Sequence, residues 1–143
     1  MQKYIDLLSK KIKYINSTIK DDTFIFDVES TVDVPICPYC GEASKRKHSS
    51  YKKIFIDVPL NNRKVLIRLN KKMFCDNNCS HKTFAEVYDF IEKKSKKTKL
   101  LKEYILDISV NMSSISAQDL LRKNGVEVSK STICTILKKL YRI

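Results

Sequence analysis

Cys37 and Cys40 stand in the run CPYCG, and Cys75 and Cys79 stand in CDNNC. Four thiolates in two close pairs form the donor set that a tetrahedral zinc ion takes. Gly41 suits the tight turn after Cys-x-x-Cys, because glycine adopts positive φ without steric penalty. Asn77 and Asn78 tolerate the same conformation in the second pair better than most residues. Zinc would keep all four thiols ionised, and Lys45, Arg46 and Lys72 could offset the added negative charge. The expectation is therefore one structural Zn2+ held by Cys37, Cys40, Cys75 and Cys79. His81 follows Cys79 too closely to share its tetrahedron comfortably, and His48 lies in a basic loop.

Two other readings of the thiols stand beside zinc. CPYC resembles the active site of glutaredoxins, where the motif follows a strand and opens a helix whose dipole lowers the thiol pKa. Here GEASKRKHSS follows, a poor helix start, and redox chemistry leaves the second pair without a role. The third reading is structural, as buried free thiols or a disulfide. Cys134 falls in a predicted helix and reads as a small packing residue.

The charge points to a polyanionic partner. The chain has 143 residues, 28 Lys and Arg against 16 Asp and Glu, and a net charge of +12. The surplus is uneven: residues 1–36 carry five Lys against six acids (net −1), residues 37–92 eleven cations against six acids (net +5), and residues 93–143 twelve against four (net +8). Lysine-rich composition alone would not spare the first quarter of the chain. A hydrophobic content of 43% is enough for real cores and excludes global disorder. No apolar run approaches the ~20 residues of a membrane helix. MQKYIDLLSKK lacks the features of a signal peptide, so the cytoplasm is the expected compartment, where paired cysteines favour metal over disulfides.

These residues need elements to position them. Tyr4, Ile5, Leu8 and Ile12 have helical spacing over residues 2–12. Residues 13–19 and 23–29 read as a hairpin closed at Asp21 and Asp22, with Phe24, Phe26 and Val28 alternating. Between the cysteine pairs, Ile54, Ile56 and Val58 alternate in one strand and Val65, Ile67 and Leu69 in the next, with the turn at Pro59–Asn62. The opposite face of the second strand carries Lys64, Arg68 and Lys72. This hairpin would bring both cysteine pairs together as a zinc ribbon. Residues 84–91 read as helical. Three helices then follow a lysine run: one signalled by Leu100, Leu101, Tyr104, Ile105 and Ile108, one over residues 116–123 opened by Ser116 and Asp119 and closed at Asn124-Gly125, and one over residues 129–140. The fold class expected is α+β: an N-terminal helix and β-hairpin (1–36), a small zinc ribbon and linker helix (37–92), and a three-helix helix-turn-helix module (93–143).

At 100° per residue, the third helix gathers Ile133, Ile136, Leu137 and Leu140 on one side and Ser131, Thr135, Lys138 and Lys139 on the other. A recognition helix needs that arrangement, an apolar back and short polar and basic residues towards the major groove. Lys130, Ser131, Thr135 and Lys138 are the candidate base readers. Lys45, Arg46, Lys47, Lys64, Arg68, Lys72, Lys96, Lys97 and Lys99 are the candidate phosphate contacts, setting affinity rather than sequence preference. The plainer alternative is an amphipathic surface helix with solvated lysines, or a ribbon that docks onto another protein.

The pattern as a whole resembles the N-terminal part of insertion-sequence transposases of the ISL-three family. The matching text is Cys37-Pro38-Tyr39-Cys40-Gly41, His48-Ser49, Asp57-Val58-Pro59, Phe74-Cys75, Cys79 and Thr83-Phe84-Ala85-Glu86, followed by the helices of residues 98–140. The resemblance implies a zinc-dependent, sequence-specific binder of double-stranded DNA at inverted repeats or an operator-like site, working on the bacterial nucleoid and possible as a homodimer. Family members continue into a ribonuclease-H-type catalytic domain whose carboxylates bind two metal ions. This chain ends at Ile143, so the expectation is a binding protein without catalysis.

Overall fold

Two hairpins with the same turn chemistry supply four strands. β1 (Ile12–Lys20) and β2 (Thr23–Ser30) reverse at Asp21 and Asp22, with φ of 51° and 59°. β3 (Lys47–Leu60) and β4 (Arg63–Cys75) reverse at Asn61 and Asn62, with φ of 50° and 59°. A two-residue loop needs positive φ at both central positions for its twist to match the strands. Asp and Asn reach that region because their short polar side chains bond locally. Both turns lie where the sequence puts them, but Pro59 and Leu60 stay in β3, where the register shifts between Asp57 and Leu60. The computed structural model describes residues 2–31, 35–37, 39–43, 47–75, 83–85, 88–92 and 95–141, with the backbone alone at 47–48, 72–75, 83–85 and 140–141.

The hairpins do not stand apart as an N-terminal unit and a separate ribbon, which corrects the expected fold class. They merge into one mixed sheet of order β1-β2-β4-β3. β2 lies parallel to β4, with Phe24 beside Val65, Phe26 beside Ile67 and Val28 beside Leu69. The two apolar rows therefore share a face, and joining them buries what an isolated two-stranded hairpin would leave wet. β4 pairs with β3 along one edge, while its other edge is divided between β2 and β5 (Thr83–Ala85), which takes Met73 to Cys75. A short strand thus occupies part of the segment expected to be helical, and a turn at Asp89 and Phe90 follows. The exposed upper edge of β4 explains the change: residues 83–85 satisfy backbone groups there that a helix would have left open. Among the described residues, no three His, Cys, Asp or Glu side chains converge as a metal site, so the four-cysteine ribbon is not part of the described fold. The Cys75 side chain and Cys79 lie outside the described residues.

One face of the sheet forms the first core. Phe26, Val28, Phe55, Val65, Ile67 and Leu69 are buried there with Ile5 of α1 (Gln2–Leu8) and with Tyr88 and Phe90. The inward row of β3 is Phe55 and Asp57, not Ile54 and Ile56; Ile54 is 48% exposed. The apolar alternation misled because a carboxylate occupies an inward position. Asp57 is accommodated by hydrogen bonds donated by the Tyr4 hydroxyl (3.0 Å) and the Thr98 hydroxyl (2.7 Å). Burial of a charge is tolerable when its lone pairs are filled in this way.

The second core belongs to α2 (Lys99–Ser109), α3 (Ser114–Lys123) and α4 (Lys130–Tyr141). Leu101, Ile105, Ala117, Leu121, Val126 and Ile133 are buried together, with Ile56 and Val58 of β3 packed against them. The helices therefore rest on the sheet through the outward side of β3. The chain enters α2 along the free edge of β3: the Ile56 amide donates to the Lys96 carbonyl and the Thr98 amide to the Ile56 carbonyl. Thr98 then caps α2 by accepting from the Leu101 amide. α3 begins earlier than Ser116, because Ser113 is its cap and accepts the Ser116 amide. Among the described residues, no helix is long and apolar enough to cross a membrane.

Candidate nucleic-acid interface

The turn between α3 and α4 is fixed before α4 begins. Gly125 adopts φ of +89°, and a Cβ there would lie 2.8 Å from the carbonyl oxygen of Asn62. Only glycine satisfies both the left-handed backbone and the close approach to the β3–β4 turn. The Asn124 amide side chain donates to the Tyr104 hydroxyl of α2 (3.2 Å), tying the same turn to the first helix. Val126 is then buried in the helical core.

Ser129 starts α4. Its hydroxyl accepts the Thr132 amide (3.1 Å), and its carbonyl accepts the Ile133 amide. Ile133 is fully buried and Ile136 and Leu137 are half-buried, so the helix is held by the side that the sequence assigns to the core. Lys130, Ser131, Thr135 and Lys138 are all exposed. Thr135 donates to the Ser131 carbonyl one turn back (2.9 Å). Cys134 is half-buried, its sulfur 3.4 Å from the Ser114 hydroxyl at the start of α3. It links two helices, in keeping with a packing position.

The candidate phosphate contacts divide into three groups. Lys96 and Lys99 are exposed and Lys97 half-buried, all at the entry to α2. Near them Glu92 accepts from Lys102 (2.7 Å), and that bond, with the charges of Lys102, Lys139 and Lys99, holds its carboxyl below the usual range. The start of α2 and the end of α4 thus form one cationic corner. Arg68 is different: its guanidinium is committed to Asp27 in a bidentate pair of 2.5 and 2.9 Å. The hydrogen bond and charge of Arg68 lower the pKa of Asp27. Lys64 is exposed at the base of β4. Lys45 and Arg46, with the side chains of Lys47 and Lys72, lie outside the described residues.

Sequence reasoning passed over Lys52, Arg63 and Arg122. Lys52 lines an open concavity of about 530 Å³ with Lys64 and Lys96. Arg63 and Arg122 border the hollow beside Gly125. Alternation along β3 could have found Lys52, since it shares a face with Ile54 and Ile56. Arg122 becomes part of this surface only because α3 docks on the β3–β4 turn.

The first cysteine pair forms a tight loop. Ile36 and Ala43 pair as an antiparallel bridge, the Cys37 amide donates to the Glu42 carbonyl, and the Gly41 amide donates to the Cys37 carbonyl (2.9 Å). Gly41 has φ of +78°. The Tyr39 amide donates towards the Cys37 sulfur from 3.4 Å. Cys37 is buried and Cys40 exposed. Residues 41–43 after CPYC lead into a bridge rather than a helix, so among the described residues no helix dipole of the kind that redox use of this motif relies on faces the thiols. The Cys75 backbone is reached from the other direction, because its neighbour Phe74 pairs with Lys47 at the start of β3. No family model matches the chain, and no curated protein or solved structure was found similar to it.

Proposed function

We propose that this chain is a sequence-specific binder of double-stranded DNA that reads base edges with α4. The observation that carries the reading is the exposed row of Lys130, Ser131, Thr135 and Lys138 on a helix whose opposite side is pinned by buried Ile133. Short hydroxyl side chains reach either hydrogen-bonding edge of a base, and the threonine methyl suits the thymine methyl. Lys96, Lys97 and Lys99 at the entry to α2 supply phosphate contacts that orient the reader. The likeness to inverted-repeat-binding segments of ISL-three transposases suggests a site of that kind, and a symmetric selected site would mean two copies on one duplex. Binding rather than catalysis is the role proposed.

Zinc belongs to the same proposal. Cys37 and Cys40 fit it on their own geometry: a glycine-closed loop, with an amide directed at one sulfur. Cys75 and Cys79 would complete the set. The ion would fasten the loop before β3 to the far end of the β3–β4 hairpin; it has no part in base reading.

The test is selection of bound duplexes from random DNA, followed by titration of the chosen site. Replacing Ser131 and Thr135 by Ala should cost ~1–3 kcal/mol for the selected sequence and little for random DNA. Replacing Lys96 and Lys97 by Ala should weaken both equally and lower the salt slope by about 2. Equal losses from the two sets on every sequence would remove α4 as the reader.

A further inference from the structure

The helices cover the outward face of the β3–β4 hairpin only in part, through Ile56 and Val58. Lys52, Lys64 and Lys96 surround Ile54, Ile56 and Leu66 in the open concavity of about 530 Å³. Among the described residues, its lining holds no acidic side chain. Asp27, on the same face, is already held by Arg68. Lys52 and Lys64 are six residues apart along the paired strands, roughly 20 Å at ~3.4 Å per residue. Lys96 stands beside Ile56 at the strand edge, between them along the strand, because its carbonyl accepts the Ile56 amide. A row of that length suits a linear polyanion better than a single compact anion. Ile54, 48% exposed, offers an apolar floor against which sugar rings could rest.

This face is also continuous with the start of α4. Lys64 borders both this concavity and the hollow beside Gly125. Arg122 and Glu127 border that hollow and the next, which ends at Ser129. The middle of the path is balanced rather than cationic, since Asp21, Asp22 and Glu127 face Arg63, Lys64 and Arg122. The sheet end is positive through Lys52, Lys64 and Lys96, and at the other end exposed Lys130 follows Ser129. We infer that the Lys52–Lys64–Lys96 sheet face is a second DNA-binding surface, which holds the phosphate backbone of the duplex flanking the segment read by α4. The inference rests on the reading of α4 as a DNA reader and adds to it a contact that is sequence-independent.

Fluorescence anisotropy of the full chain with two duplexes tests it: the selected site alone, and the same site extended by about ten base pairs on either side. The wild type should gain affinity from the extension. A triple Lys52→Ala, Lys64→Ala, Lys96→Ala variant should lose that gain, and its salt slope should fall by about 2.7, shrinking the affinity ratio between 50 and 200 mM salt about forty-fold. The Lys→Arg triple variant should keep both, which separates lost charge from lost fold. Ser131→Ala with Thr135→Ala should keep the gain from the extension while losing sequence preference. Because Lys96 also contacts phosphate beside α4, the gain from the extension decides: an Ala triple variant that retains it, whatever its salt slope, overturns the inference and leaves the α4 reading standing. So does one that binds DNA normally but loses an acidic peptide, which would make the face a protein-docking surface. A wild type without duplex affinity at low salt overturns both.

Discussion

Asp57 is the carboxylate on which three elements meet, and its removal should be costly. It is 3% exposed and accepts from Tyr4 of α1 and from Thr98, the cap of α2. Hydrogen bonds to a charged group contribute ~1.5–3 kcal/mol each, and a buried hydroxyl left without a partner costs ~1–3 kcal/mol. Relief of the carboxylate's own burial offsets part of this. We expect Asp57→Ala to destabilise the fold by about 3 kcal/mol, a fall in Tm of ~10 °C for a chain of this size. Tyr4→Phe should cost about 1.5 kcal/mol, and the double variant less than the sum, by ~1 kcal/mol of coupling. Burial first, then the charge and hydrogen bond of Asp57, push the Tyr4 hydroxyl far above its ordinary range. A raised folded-state pKa means stability that is complete below the unfolded tyrosine value of ~10 and lost as pH rises above it. Tyr4→Phe should therefore flatten the alkaline limb of the stability curve. Urea denaturation followed by circular dichroism, with the four chains of the cycle at pH 7 and pH 10.5, gives all these quantities. An Asp57→Ala cost under 0.5 kcal/mol, typical of a surface site, or strict additivity with Tyr4→Phe, would refute the network.

The other expectations are simpler. Gly125→Ala should cost ~2–4 kcal/mol, since it adds a backbone clash with Asn62 to positive-φ strain, whereas Gly41→Ala meets nothing within 4 Å and should cost only ~1–2 kcal/mol; equal costs in denaturant would mean that α3 does not dock on the β3–β4 turn. Arg68→Met should lower stability above pH ~4, and its difference from wild type should vanish as pH falls through the lowered Asp27 value, because a depressed carboxylate stabilises only while ionised; a constant difference down to pH 2 would contradict the pairing. Purified chain should carry one zinc, lost in Cys37→Ser with Cys40→Ser. Hydrogen exchange should then quicken around residues 39–50 and leave α2 to α4 protected, since the helical core contains none of the four candidate cysteine ligands; metal-free wild type with unchanged exchange would remove zinc from the account.

The sequence by itself determined the local elements. Asp21-Asp22 and Asn61-Asn62 specify their own turns, Val65, Ile67 and Leu69 their buried row, and the apolar spacing of residues 100–108 and 133–137 their helices. It also determined the polar and basic face of α4, because a period of 3.6 leaves those residues only one side. Tertiary structure alone decided the rest. Parallel pairing of β2 with β4 joined two hairpins that local pattern keeps separate, since the benefit lies in a shared core that neither strand encodes alone. Asp57 turned inward because Tyr4 and Thr98, distant in sequence, filled its lone pairs. Residues 83–85 became a strand because β4 had an open edge there. Arg68, a free cation by composition, was taken by Asp27 across that pairing, while Lys52, Lys64 and Lys96 were gathered on one face by strand register and the path of the chain into α2. Periodicity fixes which side of an element is apolar; only the partner across the interface fixes what a charged side chain on it will meet.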